Sequence, residues 1–326
     1  MKLTRRQFVS ATATTMGALR LSGMSHAADD SQQIPIIDTH QHLWDLDKFK
    51  CPWHEGAPEV LKKSYVTSDY LAATQGLNVV KAVYMEVNVL EKQQNQEADH
   101  VVSLCKSDQH PTVAAVISGR PNSRKFKKYM RRFAKSPYIR GIREVLHDPD
   151  KPQGLCLQPQ FVKSMQLLGD MNMSFDLCMR PMELDDGWKL AKQCPDTRFI
   201  VDHCGNADPK AFLKQDSDKE PWHTVDAWKR SVDRLAGLDN VTMKISGIIA
   251  RAPEGWSAEH LAPIIDFCLL QFGPDRVVFG GDWPVCLLGG PYAQWVGALK
   301  EVIASRPLAD QRKLLSGNAE RLYRLS

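Results

Sequence analysis

Short apolar runs alternate with longer amphipathic segments along most of this chain. Eight runs are rich in β-branched and other apolar residues and have the length of buried strands, and they lie at residues 34–40, 79–86, 112–118, 139–145, 173–179, 198–203, 241–246 and 276–281. Segments with helical periodicity lie at 93–107, 122–134, 159–171, 184–193, 224–236, 258–272 and 292–304, with a last one near 309–316. Such alternation is typical of a parallel sheet covered by helices.

The number of alternations predicts the architecture. Eight strand and helix units in a chain of 326 residues predict an α/β fold, a single-domain (β/α)8 TIM barrel. A doubly wound open sheet is the alternative, but no glycine-rich phosphate loop follows the first strand. Two long loops interrupt the pattern, 43–78 after the first strand and 204–223 after the sixth. Because loops that follow strands surround the mouth of a barrel, we expect 43–78 to overhang the substrate.

The first 27 residues have the pattern of an export signal. Arg5 and Arg6 precede an Ala- and Thr-rich apolar run, and Ser25-His26-Ala27 has the small-x-small form of a cleavage site. The run is too short and too polar to span a membrane. We therefore expect a Tat-type signal peptide at 1–27, a barrel domain at 28–326 and a periplasmic location.

Composition and charge narrow the choice of partners. Hydrophobic residues make up 43% and charged residues 25% of the chain, which is ordinary for a soluble globular enzyme. The formal charge is +4, and removal of the leader takes away Lys2, Arg5, Arg6 and Arg20, so the mature protein is close to neutral. Nucleic acid and anionic membranes are therefore not indicated, and a small-molecule substrate is the expected partner. The sequence gives no indication of the oligomeric state.

The cysteines predict no defined covalent framework. Eight of them lie at scattered positions without a Cys-x-x-Cys pair. Several fall within apolar runs, which favours buried free thiols, although one or two disulfides remain open in an exported protein.

The first predicted strand ends in two histidines. Side chains alternate along a strand, so His40 and His42 should point the same way, together with Ile36 and Asp38. Two imidazoles that leave a strand end side by side suit a divalent metal or an anionic reaction centre better than a hydrophobic core. Two half-exposed histidines that only close the strand are the alternative.

Further polar residues stand at the ends of two other predicted strands. The sixth strand ends in Asp202-His203, and the eighth is followed by Asp282. The carboxyl ends of the strands in a parallel barrel meet around one site, so His203 and Asp282 should approach the histidines of the first strand. Each has an alternative explanation, since His203 could be a core histidine and the aspartates could stabilise turns.

The predicted set can act with a metal or without one. His40, His42, His203 and Asp282 carry the ligand atoms that one divalent ion such as zinc prefers. Without metal, the imidazoles could polarise a carbonyl group while Asp282 removes a proton from the attacking water. We therefore predict these four as the catalytic residues, with Asp282 as general base, and the same four as ligands if a metal is bound.

Further residues are candidates for holding the substrate. Arg143 and Arg180 could grip a carboxylate or sugar hydroxyls by forked hydrogen bonds. Glu86 could hold a hydroxyl or fix a histidine tautomer, and Lys244 could stabilise a developing oxyanion. The candidates for stacking against a sugar ring are Trp44, Trp53, His54 and Trp283. A structural ion pair for Arg143 and loop packing for the rings are the alternatives.

Six motifs, in their order and spacing, resemble the lactonase branch of the amidohydrolase superfamily. They are Asp38-Thr39-His40-Gln41-His42-Leu43-Trp44, Gly141-Ile142-Arg143, Val201-Asp202-His203-Cys204-Gly205, Lys244-Ile245-Ser246-Gly247, Gly281-Asp282-Trp283-Pro284-Val285-Cys286 and Gly317-Asn318-Ala319. The resemblance covers nearly all of 34–325 and is closest to the L-fuconolactonases and L-rhamnonolactonases, with the 2-pyrone-4,6-dicarboxylate lactonases more distant. It implies a (β/α)8 barrel that hydrolyses the ester bond of a sugar-derived lactone, with His40, His42, His203 and Asp282 at the family's site positions.

The chain departs from the wider superfamily at one position. Binuclear members place a lysine at the end of strand four, where this chain reads Ile139-Arg140-Gly141-Ile142-Arg143-Glu144. Two metal ions are therefore not expected, and the resemblance implies a weak requirement for metal or none. A metal-dependent decarboxylase of the same superfamily and a non-catalytic carbohydrate-binding barrel are the alternative functions. The export signal also sets this chain apart, since the family's sugar-acid pathways are usually cytoplasmic.

Overall fold

One sheet of eight parallel strands organises the chain, in a computed structural model that describes residues 34–213 and 221–325. The strands pair in chain order and are β1 (Ile36–Gln41), β2 (Val79–Met85), β3 (Thr112–Ser118), β4 (Ile139–Val145), β5 (Ser174–Cys178), β6 (Arg198–Val201), β7 (Val241–Ile245) and β8 (Val277–Phe279). The predicted (β/α)8 barrel is confirmed. The predicted signal peptide at 1–27 lies outside the described residues.

Helices lie between the strands and after the last one. They are α1 (Thr67–Thr74), α2 (Gln94–Cys105), α3 (Phe126–Phe133), α4 (Pro159–Asp170), α5 (Leu184–Gln193), α6 (Val225–Ala236), α7 (Ala258–Phe272), α8 (Tyr292–Ile303), α9 (Leu308–Arg312) and α10 (Asn318–Tyr323). A π-helical turn at Lys313–Gly317 joins the last two. Every predicted helix is present: 184–193 and 258–272 have the predicted ends, the others have shifted ends, and α1 and α10 are additional.

Contacts between β1 and the segment after β8 close the barrel. The amide of His42 donates to the carbonyl oxygen of Trp283 at 2.8 Å. The hydroxyl of Thr39 donates to the carbonyl oxygen of Phe279 at 2.6 Å. Because these bonds fix the backbone on both sides of Asp282, they place its carboxylate next to the end of β1.

A bulge in β1 separates the faces of Asp38 and His40. Asp38 is paired with Ala82 and Gln41 with Tyr84, so three steps along β1 match two along β2. The expectation that Asp38 shares a face with the two histidines is therefore wrong.

The carboxylate of Asp38 ties the barrel to two helices instead. Its oxygens accept hydrogen bonds from the hydroxyls of Tyr70 in α1 at 2.9 Å and Tyr292 in α8 at 3.0 Å. The amide of Gly281 donates to the same carboxylate at 2.7 Å. The carboxylate of Asp38 thus holds α1, α8 and the segment after β8 together, and it is directed away from the histidines.

The amino-terminal end of the barrel is filled by apolar side chains and by the end of the chain. One buried cluster joins residues of five strands with the C-terminal helix and the residues after it, and its members are Ile37, Val83, Met85, Ala114, Val116, Ile200, Val278, Ala319, Tyr323 and Leu325. Lys81, in the first half of β2, donates to the carbonyl oxygen of Leu325 at 2.7 Å. Because this end of the barrel is filled, a site open to substrate must lie at the other end, where the strands have their carboxyl ends.

Two smaller expectations concern the chain as a whole. In the part of the chain that the structure describes, no helix combines the length and the apolar character needed to cross a bilayer. All eight cysteines are buried free thiols, as expected.

Candidate active site

The carboxyl ends of the strands bring His40, His42 and Asp282 into one cluster. The Nε2 atoms of the two histidines lie 3.2 Å apart. Oδ1 of Asp282 lies 3.5 Å from Nε2 of His40 and 3.5 Å from Nε2 of His42. All three residues are buried. The convergence predicted from the sequence is therefore present for these residues.

His203 joins the cluster from the end of β6. Its Nδ1 lies 3.0 Å from the hydroxyl of Ser246 and 4.0 Å from Oδ2 of Asp282. Its ring centre is 4.5 Å from that of His40. A Cβ atom at Gly247 would lie 2.2 Å from this Nδ1, so only a glycine leaves room for the imidazole.

Left-handed backbone conformations follow β6 and β8 at the site. Asp282 has φ 53°, and the turn His203–Asn206 holds four consecutive residues with positive φ. Residues in this region cannot continue an extended strand, so β6 stops before His203, where the prediction had placed its end. Such conformations cost free energy in non-glycine residues and concentrate at functional sites.

Burial keeps the histidines uncharged. It lowers the pKa of His42 to about 3 and the pKa of His203 to about 4, and it lowers the pKa of His40 well below its usual value. Burial also raises the pKa of Asp282 to about 6. At neutral pH the site therefore offers imidazole lone pairs next to an ionised carboxylate.

The hydrogen bond of His42 fixes its tautomer. Its Nδ1 lies 3.0 Å from the carbonyl oxygen of Met85 and must donate to it. The lone pair is then on Nε2, which faces His40 and Asp282. A ring held in this way is typical of histidines that bind metal ions or accept a proton.

The donor set fits a single divalent ion. His40, His42 and Asp282 offer ligand atoms within 4.8 Å of one another, and His40, Asp202 and His203 form a second such group. Ligand atoms of a tetrahedral zinc ion lie roughly 3.3 Å apart, close to the 3.2 and 3.5 Å found in the first group. The positive charge of Arg143 opposes the binding of a cation, because its Nη1 lies 3.2 Å from Nε2 of His40.

Charged residues under the histidines are paired with one another. Lys244 contacts Asp176 at 2.6 Å and Asp202 at 3.0 Å, and all three side chains are fully buried. Burial opposes the charge of Lys244, but the two carboxylates outweigh it and raise its pKa. Burial also opposes the charge of Asp202, but the charge of Lys244 and a hydrogen bond from His40 outweigh burial and lower the pKa of Asp202. Lys244 therefore supports the site from below.

A second buried pair joins Arg143 to Glu86. Nε of Arg143 donates to Oε1 of Glu86 at 2.7 Å, and Nη2 donates to the backbone carbonyl oxygen of Glu86 at 2.8 Å. This leaves Nη1 directed toward His40 and Asp202, at 3.2 and 3.6 Å. The structural ion pair that was the alternative for Arg143 exists, and Glu86 acts on the site through the arginine.

A cavity of about 380 Å³ opens above the cluster. Six of the predicted residues line it, namely His42, Trp44, Trp53, Arg143, His203 and Asp282. Trp44 and Trp53 contact each other edge to face, with ring centres 5.0 Å apart. The loop 43–78 therefore contributes aromatic side chains to the cavity wall.

Other predicted substrate contacts are directed elsewhere. The guanidinium of Arg180 donates to Glu183 at 2.8 Å and to the carbonyl oxygens of Asp148 and Lys151 at 3.0 and 2.9 Å. Its donors are therefore used by the protein. Five other predicted residues do not line the cavity in the part of the chain that the structure describes. They are His40, Glu86, Lys244, His54 and Trp283.

Packing explains the position of the two aromatic residues in that group. Trp283 lies edge to face against Tyr65 and Tyr70, at 5.2 and 5.4 Å between ring centres. His54 packs against Trp53 at 6.2 Å. The loop-packing alternative is the one that the structure shows for both.

Sequence reasoning missed a group of polar residues in the cavity wall. His147, Cys178, Asn206 and Arg251 all line it. Nδ1 of His147 lies 3.4 Å from Sγ of Cys178 and 3.5 Å from Nδ2 of Asn206. His147 and Arg251 stand in loops beyond strands four and seven, where no motif marked them, and only their position after a strand end could have suggested them.

A parallel barrel with reactive side chains gathered at the carboxyl ends of its strands is an enzyme scaffold. The chain belongs to the amidohydrolase family, whose model matches residues 37–325. It is similar to an L-fucono-1,5-lactonase of Burkholderia multivorans, with 25% identity over 89% of this chain and 96% of the relative. An L-rhamnono-gamma-lactonase of Scheffersomyces stipitis is 23% identical, with 89% and 98% covered. A crystal structure of a Burkholderia multivorans amidohydrolase with bound zinc superposes with a TM-score of 0.77 at 21% identity, over 90% of this chain and 100% of that one.

The buried lysine provides a test of the charge arrangement. Lys244→Met should lower the free energy of unfolding by about 3–5 kcal/mol, because it leaves Asp176 and Asp202 buried without their cation. The matched control is Lys48→Met, which removes an ion pair to Asp45 whose lysine is 54% exposed, and which should cost at most about 1 kcal/mol. Urea unfolding followed by circular dichroism measures both. Equal losses for the two variants would contradict the role given to Lys244.

Proposed function

We propose that this protein is a hydrolase that opens a sugar-derived lactone. The observation that carries the proposal is the carboxylate of Asp282, which lies at the cavity between His42 and His203. The proposal is supported by membership of the amidohydrolase family and by the lactonases among the relatives. A small-molecule lactone is then the substrate.

Asp282 is the group that activates water. Its pKa, raised to about 6 by burial, leaves it ionised at neutral pH yet basic enough to accept a proton. Water that loses a proton to this carboxylate attacks the lactone carbonyl carbon. The bond between that carbon and the ring oxygen then breaks, and the proton passes to the ring oxygen, so that water and lactone give one hydroxy acid.

Donors at the cavity wall stabilise the developing negative charge on the carbonyl oxygen. Arg143 lines the cavity and is held rigidly by its two bonds to Glu86. His203 lines it as well, next to Asp282. Donors that are fixed before the reaction lower its barrier because nothing must reorganise.

His147 stands where the leaving oxygen needs a partner. Because Nδ2 of Asn206 is a donor directed at Nδ1 of His147, the ring proton belongs on Nε2. That N–H is then the donor available to the cavity, which Asp282 also lines. It would bind the ring oxygen as the ester bond breaks.

The cavity suits a single sugar-sized ring. Its volume of about 380 Å³ and its two tryptophans, Trp44 and Trp53, provide an apolar face beside the polar cluster. Asn88 and Asp148 add hydrogen-bonding groups to the wall. This combination of one aromatic face and several polar groups is typical of sugar-binding sites.

Replacement of Asp282 tests the reaction directly. Purified protein should acidify unbuffered L-fucono-1,5-lactone or L-rhamnono-γ-lactone, and Asp282→Asn should lower kcat by about 10² to 10⁴-fold, since an amide cannot accept the proton. Asp208→Asn is the matched control, because Asp208 is buried and caps a turn at Lys210 outside the cavity lining. A pH-indicator assay measures both variants. Near wild-type turnover by Asp282→Asn, or no turnover of any lactone in a panel of sugar and pyrone lactones by the wild type, would contradict the proposal.

We also propose that His40, His42 and Asp282 bind one divalent ion, zinc by preference. A bound ion would polarise the carbonyl group and ease loss of a proton from water. Zinc titration of the metal-free protein should show one site, and His42→Ala should weaken it by at least about 100-fold, because a ligand is lost. His110→Ala, which alters a histidine at the opposite end of the barrel before β3, should leave the affinity unchanged. Equal zinc binding by both variants would contradict the site.

The alternative functions give other results in the same assays. A metal-dependent decarboxylase would retain zinc through exhaustive dialysis, release carbon dioxide from an aromatic acid and leave lactones intact. A carbohydrate-binding barrel would bind a sugar ligand unchanged and tolerate loss of the histidines.

We propose in addition that the protein is exported to the periplasm. The twin arginines Arg5 and Arg6 support this, since Tat-type signals depend on them. The double variant Arg5→Lys/Arg6→Lys should remain in the cytoplasm while the wild type appears in the periplasmic fraction. Immunoblots of the two fractions measure this, and the same distribution for both proteins would overturn the proposal.

A further inference from the structure

Positive charge is concentrated in one surface segment, although cationic and acidic side chains are equal in number over residues 28–326. Residues 124–135 hold seven cationic side chains and no acidic one, and all seven are exposed: Arg124, Lys125, Lys127, Lys128, Arg131, Arg132 and Lys135. The segment covers α3 and its two flanks. We call it the basic segment.

The protein neutralises little of this charge. Arg132 pairs with Asp99. Within residues 34–213 and 221–325, the other six cations have no acidic side chain at ion-pair distance. Lys127 and Arg131 are one helical turn apart, as are Lys128 and Arg132, and like charges at this spacing destabilise a helix. The repulsion between these cations therefore destabilises the helix, and ion pairs within the protein offset little of it.

The apolar face of α3 is already used. Phe126, Met130 and Phe133 are buried against the barrel. No large apolar side chain of the basic segment is left exposed. The segment thus offers charge to a partner but nothing that would insert into the apolar part of a bilayer.

A cleft of about 480 Å³ runs along the same helix. Its cationic lining consists of Arg120, Lys125, Lys128 and Arg132. Uncharged groups that can bind hydroxyls also line the cleft, among them Gln94, Asn95, Ser123 and Tyr129, and a single carboxylate, Glu91, lies in the lining with them. The cleft is concave and combines cations with amide and hydroxyl groups.

The cleft adjoins the reaction cavity. Arg120, which lines the cleft, donates from Nη2 to Oδ1 of Asn88 at 3.1 Å. Asn88 in turn lines the reaction cavity. One hydrogen-bonded pair of side chains therefore separates the two recesses.

We propose that the basic segment and its cleft bind an acidic polysaccharide, a chain that carries one carboxylate per sugar ring. Cations about 5–6 Å apart, at helical spacings of three and four, match carboxylates repeated at intervals of one ring. The amide and hydroxyl groups of the cleft match the hydroxyls of the sugars. A flat bilayer cannot enter a concave cleft, and exposed aromatic rings for stacking nucleic-acid bases are absent from residues 124–135.

Calorimetric titration of the full mature chain with polygalacturonate fragments tests the proposal. Lys125→Gln/Lys128→Gln/Arg131→Gln should weaken binding by about 100-fold at low salt, since each cation near an anionic partner contributes roughly fivefold. Lys106→Gln/Lys192→Gln/Arg230→Gln removes the same charge from scattered exposed positions and should change affinity less than threefold. Wild-type affinity should fall steeply with added salt, and less steeply in the first variant. Absence of binding, or equal losses in the two triple variants, would overturn the proposal.

Two further arms separate the polysaccharide from other polyanions. Vesicles with anionic phospholipid and duplex DNA are titrated at the same charge concentration. Weaker binding of both than of polygalacturonate supports the proposal, and tighter binding of either one overturns it. Turnover of a small lactone should be unchanged in both triple variants. The proposal of polysaccharide binding and the proposal of lactone hydrolysis are therefore tested independently.

Discussion

The site depends on the pairing of buried charges beneath the histidines. Lys244 lies between Asp176 and Asp202, and Arg143 is bound to Glu86, all at or near zero exposure. None of these charges could be buried alone, because desolvation would cost several kcal/mol per ion. Their mutual pairing is therefore what allows a polar site to exist inside the barrel. The same charges fix the position of the His40 ring. Its Nδ1 lies 3.3 Å from Nζ of Lys244, and its Nε2 lies 3.2 Å from Nη1 of Arg143.

Backbone irregularities then convert a regular sheet into a reactive cluster. The bulge in β1 directs Asp38 toward α1 and α8 while His40 faces the barrel. Left-handed residues at His203 and Asp282, which follow β6 and β8, place both side chains next to the histidines of β1. Each irregularity has a local cost, and the hydrogen bonds that Asp38 accepts from Tyr70, Tyr292 and the amide of Gly281 hold the surrounding backbone in place.

The fold and the centre of the site could be predicted because each has a local signature. Eight apolar runs with intervening amphipathic segments specify the barrel, and His40, His42, His203 and Asp282 mark strand ends that must converge in it. The bulge could not be predicted, because strand alternation assumes an uninterrupted ladder.

Side chains of the outer wall were harder to assign. Arg180 follows β5 in sequence, but its guanidinium is used by Glu183 and two carbonyl oxygens. His147 lies two residues beyond β4 in a loop whose course no periodicity defines. The net charge of the chain likewise gave no sign of the basic segment, because acidic residues elsewhere in the sequence offset its cations.

The central claim is that a water held by Asp282 attacks the carbonyl carbon of a lactone. Hydrolysis of L-fucono-1,5-lactone in ¹⁸O-labelled water, followed by mass spectrometry of the product and its fragments, tests this most directly. The account predicts one ¹⁸O atom in the product carboxylate and none in the newly formed hydroxyl. Label in that hydroxyl, or recovery of unchanged lactone, would contradict it.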